Sequence, residues 1–151
     1  MSLADSGYLM RILLILVVVV ALFPGCGTES EETPSKCLEQ VTEECTPLYT
    51  PTFDKVFDIT LKNSCSVGGN ACHSSSGAKG GLILDEVESA YDHLVHAANG
   101  ATYVTPGDPA CSPLMQRLES SDSGVVMPPG NQLSPEERCA VIQWIADGAK
   151  R

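Results

Sequence analysis

Residues 64–75, SCSVGGNACHSS, hold two of the chain's seven cysteines and one of its three histidines. Cys72 is followed at once by His73, so a thiol and an imidazole leave the backbone side by side. Gly68 and Gly69 give the loop between Cys65 and Cys72 the freedom to fold back on itself. The stretch is either the anchor of a bound group or a surface loop closed by a disulfide, and the residues around it bear on the choice.

Just upstream, past Pro51, Phe53, Val56, Phe57 and Leu61 recur on one face at helical spacing, while Lys55, Asp58 and Lys62 point away. The pattern predicts a helix capped by Thr52 and ending near Lys62 or Asn63, with Cys65 just beyond its edge. Downstream, Asp85 is an N-cap candidate with Glu88 placed to reach back, and Val87, Ala90, Tyr91, Leu94 and Ala98 mark a second buried stripe. Ser112 before Pro113 starts a short third helix through Leu114 and Leu118. Ser134, Pro135 and Glu137 repeat that signature, and the last helix buries Val141, Trp144 and Ile145 before stopping at Gly148. Loops rich in glycine and proline, GAKGG, TPGDP and MPPGN, lie between, and no run alternates as a strand. The expected fold is all-α, a small helical domain with long loops over residues 52–151. Long loops in a small domain are ordered when they have something to pack around.

The N-terminus decides where such a chain works. Residues 12–23, ILLILVVVVALF, are too few to span a bilayer as a helix, which needs about twenty apolar residues. Behind Arg11 they read as the core of a secretory signal over residues 1–25, with Met10 competing with Met1 as the start. The string LFPGC resembles a bacterial lipobox and makes Cys26 the candidate lipidation site of an exported lipoprotein, held at a membrane facing the periplasm, the outer membrane foremost. Residues 26–51, polar, acidic and punctuated by Pro34, Pro47 and Pro51, read as a flexible tether. Export permits disulfides. Chain order suggests Cys37 with Cys45, Cys65 with Cys72, and Cys111 with Cys139. A formal net charge of −10 argues against a nucleic-acid reader, which needs a basic face.

The pair Cys72 and His73 reproduces the second half of the C-x-x-C-H haem-attachment signature, in which two cysteines carry thioethers and the histidine takes one side of the iron. Cys65 stands six residues before Cys72 rather than two. Met127, in GVVMPPGN ahead of a stiff Pro128–Pro129 turn, is the candidate for the opposite side of the iron. Met115, inside a helix, is expected to pack. His93 and His96 project off the second helix's apolar stripe and are expected to be solvated. Zinc would need a fourth ligand beyond Cys65, Cys72 and His73. No nucleophile triad or carboxylate pair points to an enzyme.

Taken in order, FDKVFDITLKNSC, ACHSSSGAKGGLILDEVESAYDHLV, VTPGDPACSPLMQRL and MPPGNQLSPEERCAVIQWIADGAK resemble the planctomycete-type cytochrome c domain, also common in exported proteins of myxobacteria. The resemblance implies a cytochrome c fold and covalent haem c, with Cys72 as the second thioether cysteine, His73 as the proximal ligand, Met127 as the distal one, and Trp144 in a last helix packed on the first. Cys65 matches the first cysteine in order but not in spacing, so three outcomes stay open: two thioethers, one through Cys72, or a Cys65–Cys72 disulfide without haem. The function expected is electron transfer to a redox partner protein, the ring buried among Phe53, Phe57, Leu94 and Trp144. The alternative is a haem-free binding or structural lipoprotein stapled by disulfides.

Overall fold

Phe53, Val56, Phe57 and Leu61 turn to one side of the first helix and are all nearly inaccessible to water. The structure, a computed structural model, describes residues 37–151. The signal segment, Met1, Met10 and Cys26 lie outside the described residues. Helix α1, Phe53–Lys55, runs directly into a π-helix, Val56–Cys65. It is followed by 3-10 turns at Gly69–Ala71 and Lys79–Gly81, then α2 (Val87–Val95), α3 (Pro113–Leu118) and α4 (Pro135–Ala146). Among the described residues there is no strand.

The first helix runs two or three residues further than the spacing of its apolar stripe predicts, because its winding widens. The Asn63 amide donates to the carbonyls of Asp58 and Ile59 (2.8 and 3.2 Å), and the Ser66 hydroxyl donates to that of Lys62 (2.7 Å). Side chains thus take up carbonyls near the helix end. Cys65 becomes the last residue of the helix instead of lying beyond it.

The caps fall out unevenly. At α4 the Ser134 hydroxyl accepts from Glu137 N (3.1 Å) while the Glu137 carboxylate accepts from Ser134 N (2.9 Å), a complete capping box. Its far end closes with Gly148 at φ +93°, Gly148 N on Ile145 O and Ala149 N on Trp144 O, both 2.9 Å. At α2, by contrast, Glu86 occupies the N-cap position without a side-chain bond, and Asp85 turns away to serve another loop. Ser112 precedes α3 as expected, but its hydroxyl accepts from Thr105 N and donates to Asp108 O, tying the TPGDP loop instead of the helix start.

Trp144 of α4 packs on Phe53 (ring centroids 5.5 Å apart), which meets Tyr91 of α2 edge-on at 4.8 Å. Around this aromatic centre lie Leu61, Leu94, Val104, Met115, Val141 and Ile145. Met115 is fully buried, as expected of a packing methionine. The tail is held too: Trp144 Nε1 donates to Lys150 O (2.8 Å) and the Tyr91 hydroxyl to Ala149 O (3.1 Å).

Residues 37–51 correct the expectation of a flexible tether. Cys37 is bonded to Cys111 and Cys45 to Cys139, Leu38 N donates to Ala110 O, and Leu48 N donates to Glu136 O. Gln143 of α4 donates to the carbonyls of Glu43 and Cys45 (3.0 Å each). Leu38, Val41 and Tyr49 pack on the core. The helical domain therefore includes the chain from Cys37 onward, and does not begin at Thr52. The pairing also replaces the neighbour-with-neighbour order: the segment lies along α3 and α4, so each of its cysteines faces one at those helices. Cys139, off the Val141 and Trp144 stripe, is explained by Cys45 and not by Cys111.

Candidate functional site

The π-helix delivers Cys65 to one side of a loop that the next residues close. His73 N donates to Cys65 O (3.1 Å) and Cys72 N to Gly69 O (3.2 Å), so the six-residue spacer folds back as a 3-10 turn. Two glycines make the turn possible. A Cβ on Gly68 would stand 2.1 Å from Cys72 Sγ, and one on Gly77 would stand 2.6 Å from Cys72 O. The loop is then pinned from outside: Asp85 Oδ2 accepts from Ser75 N and from the Ser75 hydroxyl (2.8 Å each), which holds its carboxyl below the usual range, and Leu84 N donates to His73 O. This is where the carboxylate expected at the α2 cap is used.

His73 is oriented by a single bond, Nδ1 to the Lys79 carbonyl at 2.9 Å. A carbonyl can only accept, so Nδ1 carries the proton, and in the neutral ring this leaves the lone pair on Nε2, the arrangement that metal-ligating histidines use. Met127 is positioned from α3: its amide donates to Arg117 O (3.0 Å), and Arg117 Nη1 donates to Val125 O (3.3 Å) in the same loop.

Two cavities adjoin between these elements, of about 260 and 320 Å³. Cys65, His73, Lys79 and Met127 line both of them. Cys72, Pro128 and Pro129 wall the first, while Leu82, Leu84, Tyr103, Leu114, Leu118 and Arg117 wall the second. Cys65, Cys72, His73 and Met127, well separated in the sequence, thus meet on one largely apolar cleft. Phe53, Phe57, Leu94 and Trp144 do not line it. The strongest apolar stripes went to the core behind, and the cleft took its wall from the loop after the 3-10 turns and from α3.

Cys65 and Cys72 are free thiols, so the third neighbouring pair is not formed. Burial pushes the Cys65 thiol up to about 12, helped by Cys72 beside it and by Glu137. His93 is not solvated as expected: it is half-buried and its Nδ1 accepts from Ile83 N (3.0 Å), fastening the segment that carries Leu82 and Leu84. His96 is exposed, 3.0 Å from Asp92 Oδ1.

Lys79 and Arg117 at the cleft are the residues that the sequence patterns did not single out.

The described residues thus form an all-helical domain with a thiol pair, an imidazole and a methionine sulfur on one largely apolar cleft. Residues 70–131, which hold Cys72, His73, Arg117 and Met127, match the family described as Planctomycete cytochrome C. No curated protein and no solved structure matches the chain.

Proposed function

We propose that the chain is an exported electron carrier, and not an enzyme, that holds haem c through Cys65 and Cys72 and ligates its iron with His73 and Met127. The observation that carries this reading is the meeting of His73, whose Nδ1 is committed to Lys79 O, with Met127 and two free thiols on the same apolar cleft. The donor set fits haem: one imidazole and one thioether sulfur for iron, and two thiols for attachment. It does not fit zinc, since among the described residues no three His, Cys, Asp or Glu side chains gather to hold a metal ion. When bound, haem supplies an iron that cycles between ferrous and ferric states.

The chain's own residues do the rest. Lys79 O fixes the His73 ring, Arg117 O fixes the Met127 loop, and Leu82, Leu84, Leu114 and Leu118 supply an apolar wall that keeps water from the site. The turned-back spacer supports attachment at both cysteines despite their spacing, because both thiols line the first cavity. The two disulfides fit a protein that matures outside the reducing cytosol. With Cys26 lipidated, the domain would be held at a membrane facing the periplasm and would exchange electrons with a partner protein.

Absorption of the exported protein tests the reading. A reduced α-band at the c-type position, with pigment that stays with the chain in acidified acetone, is expected. A colourless protein whose mass shows a Cys65–Cys72 disulfide overturns it in favour of the haem-free alternative. Replacement of Met127 by alanine is expected to change the oxidised spectrum, and loss of lipid from the Cys26→Ala chain would check the anchor.

A further inference from the structure

The turn that orients His73 does not hold itself. In GAKGG, residues 77–81, Ala78 lies at φ +40°, Gly80 at +65° and Gly81 at +75°, all left-handed backbone. Glycines leave such a segment many alternatives, and an alanine in that region is strained. Yet the turn grips the site twice: Lys79 N donates to Cys72 O (3.3 Å), and Lys79 O accepts from His73 Nδ1 (2.9 Å). Something outside the turn must keep it in this form.

Two side chains do so. The Tyr103 hydroxyl donates to Gly80 O (2.8 Å), and the Asn99 amide donates to Gly81 O (2.7 Å). The same amide nitrogen donates to the Tyr103 oxygen (3.0 Å), so the two residues form one chain of bonds in which each donor strengthens the next. Asn99 Oδ1 accepts from Ala101 N (3.1 Å), which settles which end of the amide meets the turn. Tyr103 is anchored from behind: its carbonyl accepts from Leu114 N of α3, and Val104 N beside it donates to Leu94 O of α2 (2.9 and 3.0 Å). A path of hydrogen bonds therefore runs from two core helices through Tyr103 and Asn99 to the turn, and from Lys79 O to the His73 ring.

We infer that Asn99 and Tyr103 are the positioning residues of His73: they fix the Lys79–Gly81 turn so that its carbonyl holds the proton on Nδ1 and the neutral ring keeps its lone pair on Nε2. This deepens the haem reading above and rests on it for the use of the ring, while the tautomer itself is a property of the haem-free chain. A free histidine ring favours the opposite form, with the proton on Nε2, so the turn has a preference to overcome. His93 supplies the contrast within the same chain, because its Nδ1 accepts from Ile83 N and its neutral ring carries the proton on Nε2.

The test uses the full chain, exported in a host that cannot attach haem, labelled with nitrogen-15 and with both disulfides verified. Long-range proton–nitrogen correlations read the tautomer of each ring at about pH 8.5, where an ordinary imidazole is neutral. Wild type is expected to show His73 with its proton on Nδ1 and His93 with its proton on Nε2. Tyr103→Phe keeps the ring on the cleft wall and removes only the hydroxyl, while Asn99→Asp keeps the acceptor for Ala101 N and removes the donor. Each is expected to lower the ratio of Nδ1–H to Nε2–H at His73 about twofold to tenfold, the weight of one hydrogen bond, with His93 and helicity unchanged. An unmoved ratio in both variants, a wild-type His73 with its proton on Nε2, or an equal change at His93 overturns the inference. In the haem-loaded chain Tyr103→Phe is expected to raise the reduction potential, because a looser Nδ1–H bond leaves the imidazole a weaker donor to iron, and a potential that does not rise overturns the inference. A colourless wild-type chain overturns the haem reading and leaves the tautomer result standing.

Discussion

Gly68 leaves the room in which the Cys72 side chain lies. The side chain of Cys72 occupies the space a Cβ there would need, 2.1 Å from Sγ, and the other nearby atoms are also those of Cys72. Gly68→Ala is therefore expected to displace Cys72 and to lower the fraction of chains carrying covalent pigment severalfold with little change in helicity, measured by absorbance against protein mass. At Cys65 the thiol is raised from 9.0 to about 12 by burial. In the haem-free chain, iodoacetamide at pH 8.5 should modify Cys65 more than about a hundredfold more slowly than a free cysteine, since only the thiolate attacks. The same shift has a sign for stability. The folded state keeps the proton longer than the unfolded one, so the contribution is whole below pH 9 and is lost as the pH rises toward about 12. Tyr49, raised chiefly by burial, adds a second loss that begins as the pH passes its ordinary value of 10.0. Urea midpoints should fall across this alkaline window, and a Cys65→Ala, Tyr49→Phe chain should fall less.

Among the elements, α4 is the one whose ends and faces could be read directly from its residues. Its capping box, first-turn proline and glycine stop are all local, and each is found in place. Ser134→Ala is expected to cost about 1 kcal/mol by urea denaturation. The first helix shows where such reading stops. Its apolar face was legible, but the π winding depends on which carbonyls Asn63 and Ser66 can reach, and that decides whether Cys65 sits on the helix or beyond it. Asp85 is similar: a carboxylate before an apolar stripe suits a cap, yet Ser75 offers it two donors from another loop. For the cleft, His73 and Met127 were legible from chemistry and neighbours. Its wall was not, because Phe53, Phe57, Leu94 and Trp144, with the clearest periodicity, belong to the core for that same reason.

On the scale of the whole molecule, the two disulfides bind a segment without regular structure to the far end of the chain. They close loops with sequence separations of 74 and 94 residues. Paired serine replacement of Cys37 with Cys111, or of Cys45 with Cys139, should each lower stability by about 3–5 kcal/mol and expose residues 37–48 to protease. A loss of less than about 1 kcal/mol would mean the segment is held by its hydrogen bonds and packing alone. Sequence order could not find these partners, because the two bridges interleave along the chain and neighbouring cysteines do not pair. That interleaving also sets a problem of manufacture. Where a chain enters an oxidising compartment N-terminus first, Cys37 and Cys45 meet each other, and then Cys65 and Cys72, before Cys111 and Cys139 arrive. Oxidation on first encounter would pair Cys65 with Cys72, the two thiols that stand free on the cleft. Reaching the observed pairing from that order calls for early pairs to be exchanged for Cys37–Cys111 and Cys45–Cys139, and, on the proposed haem reading, for attachment at Cys65 and Cys72 to compete with their oxidation.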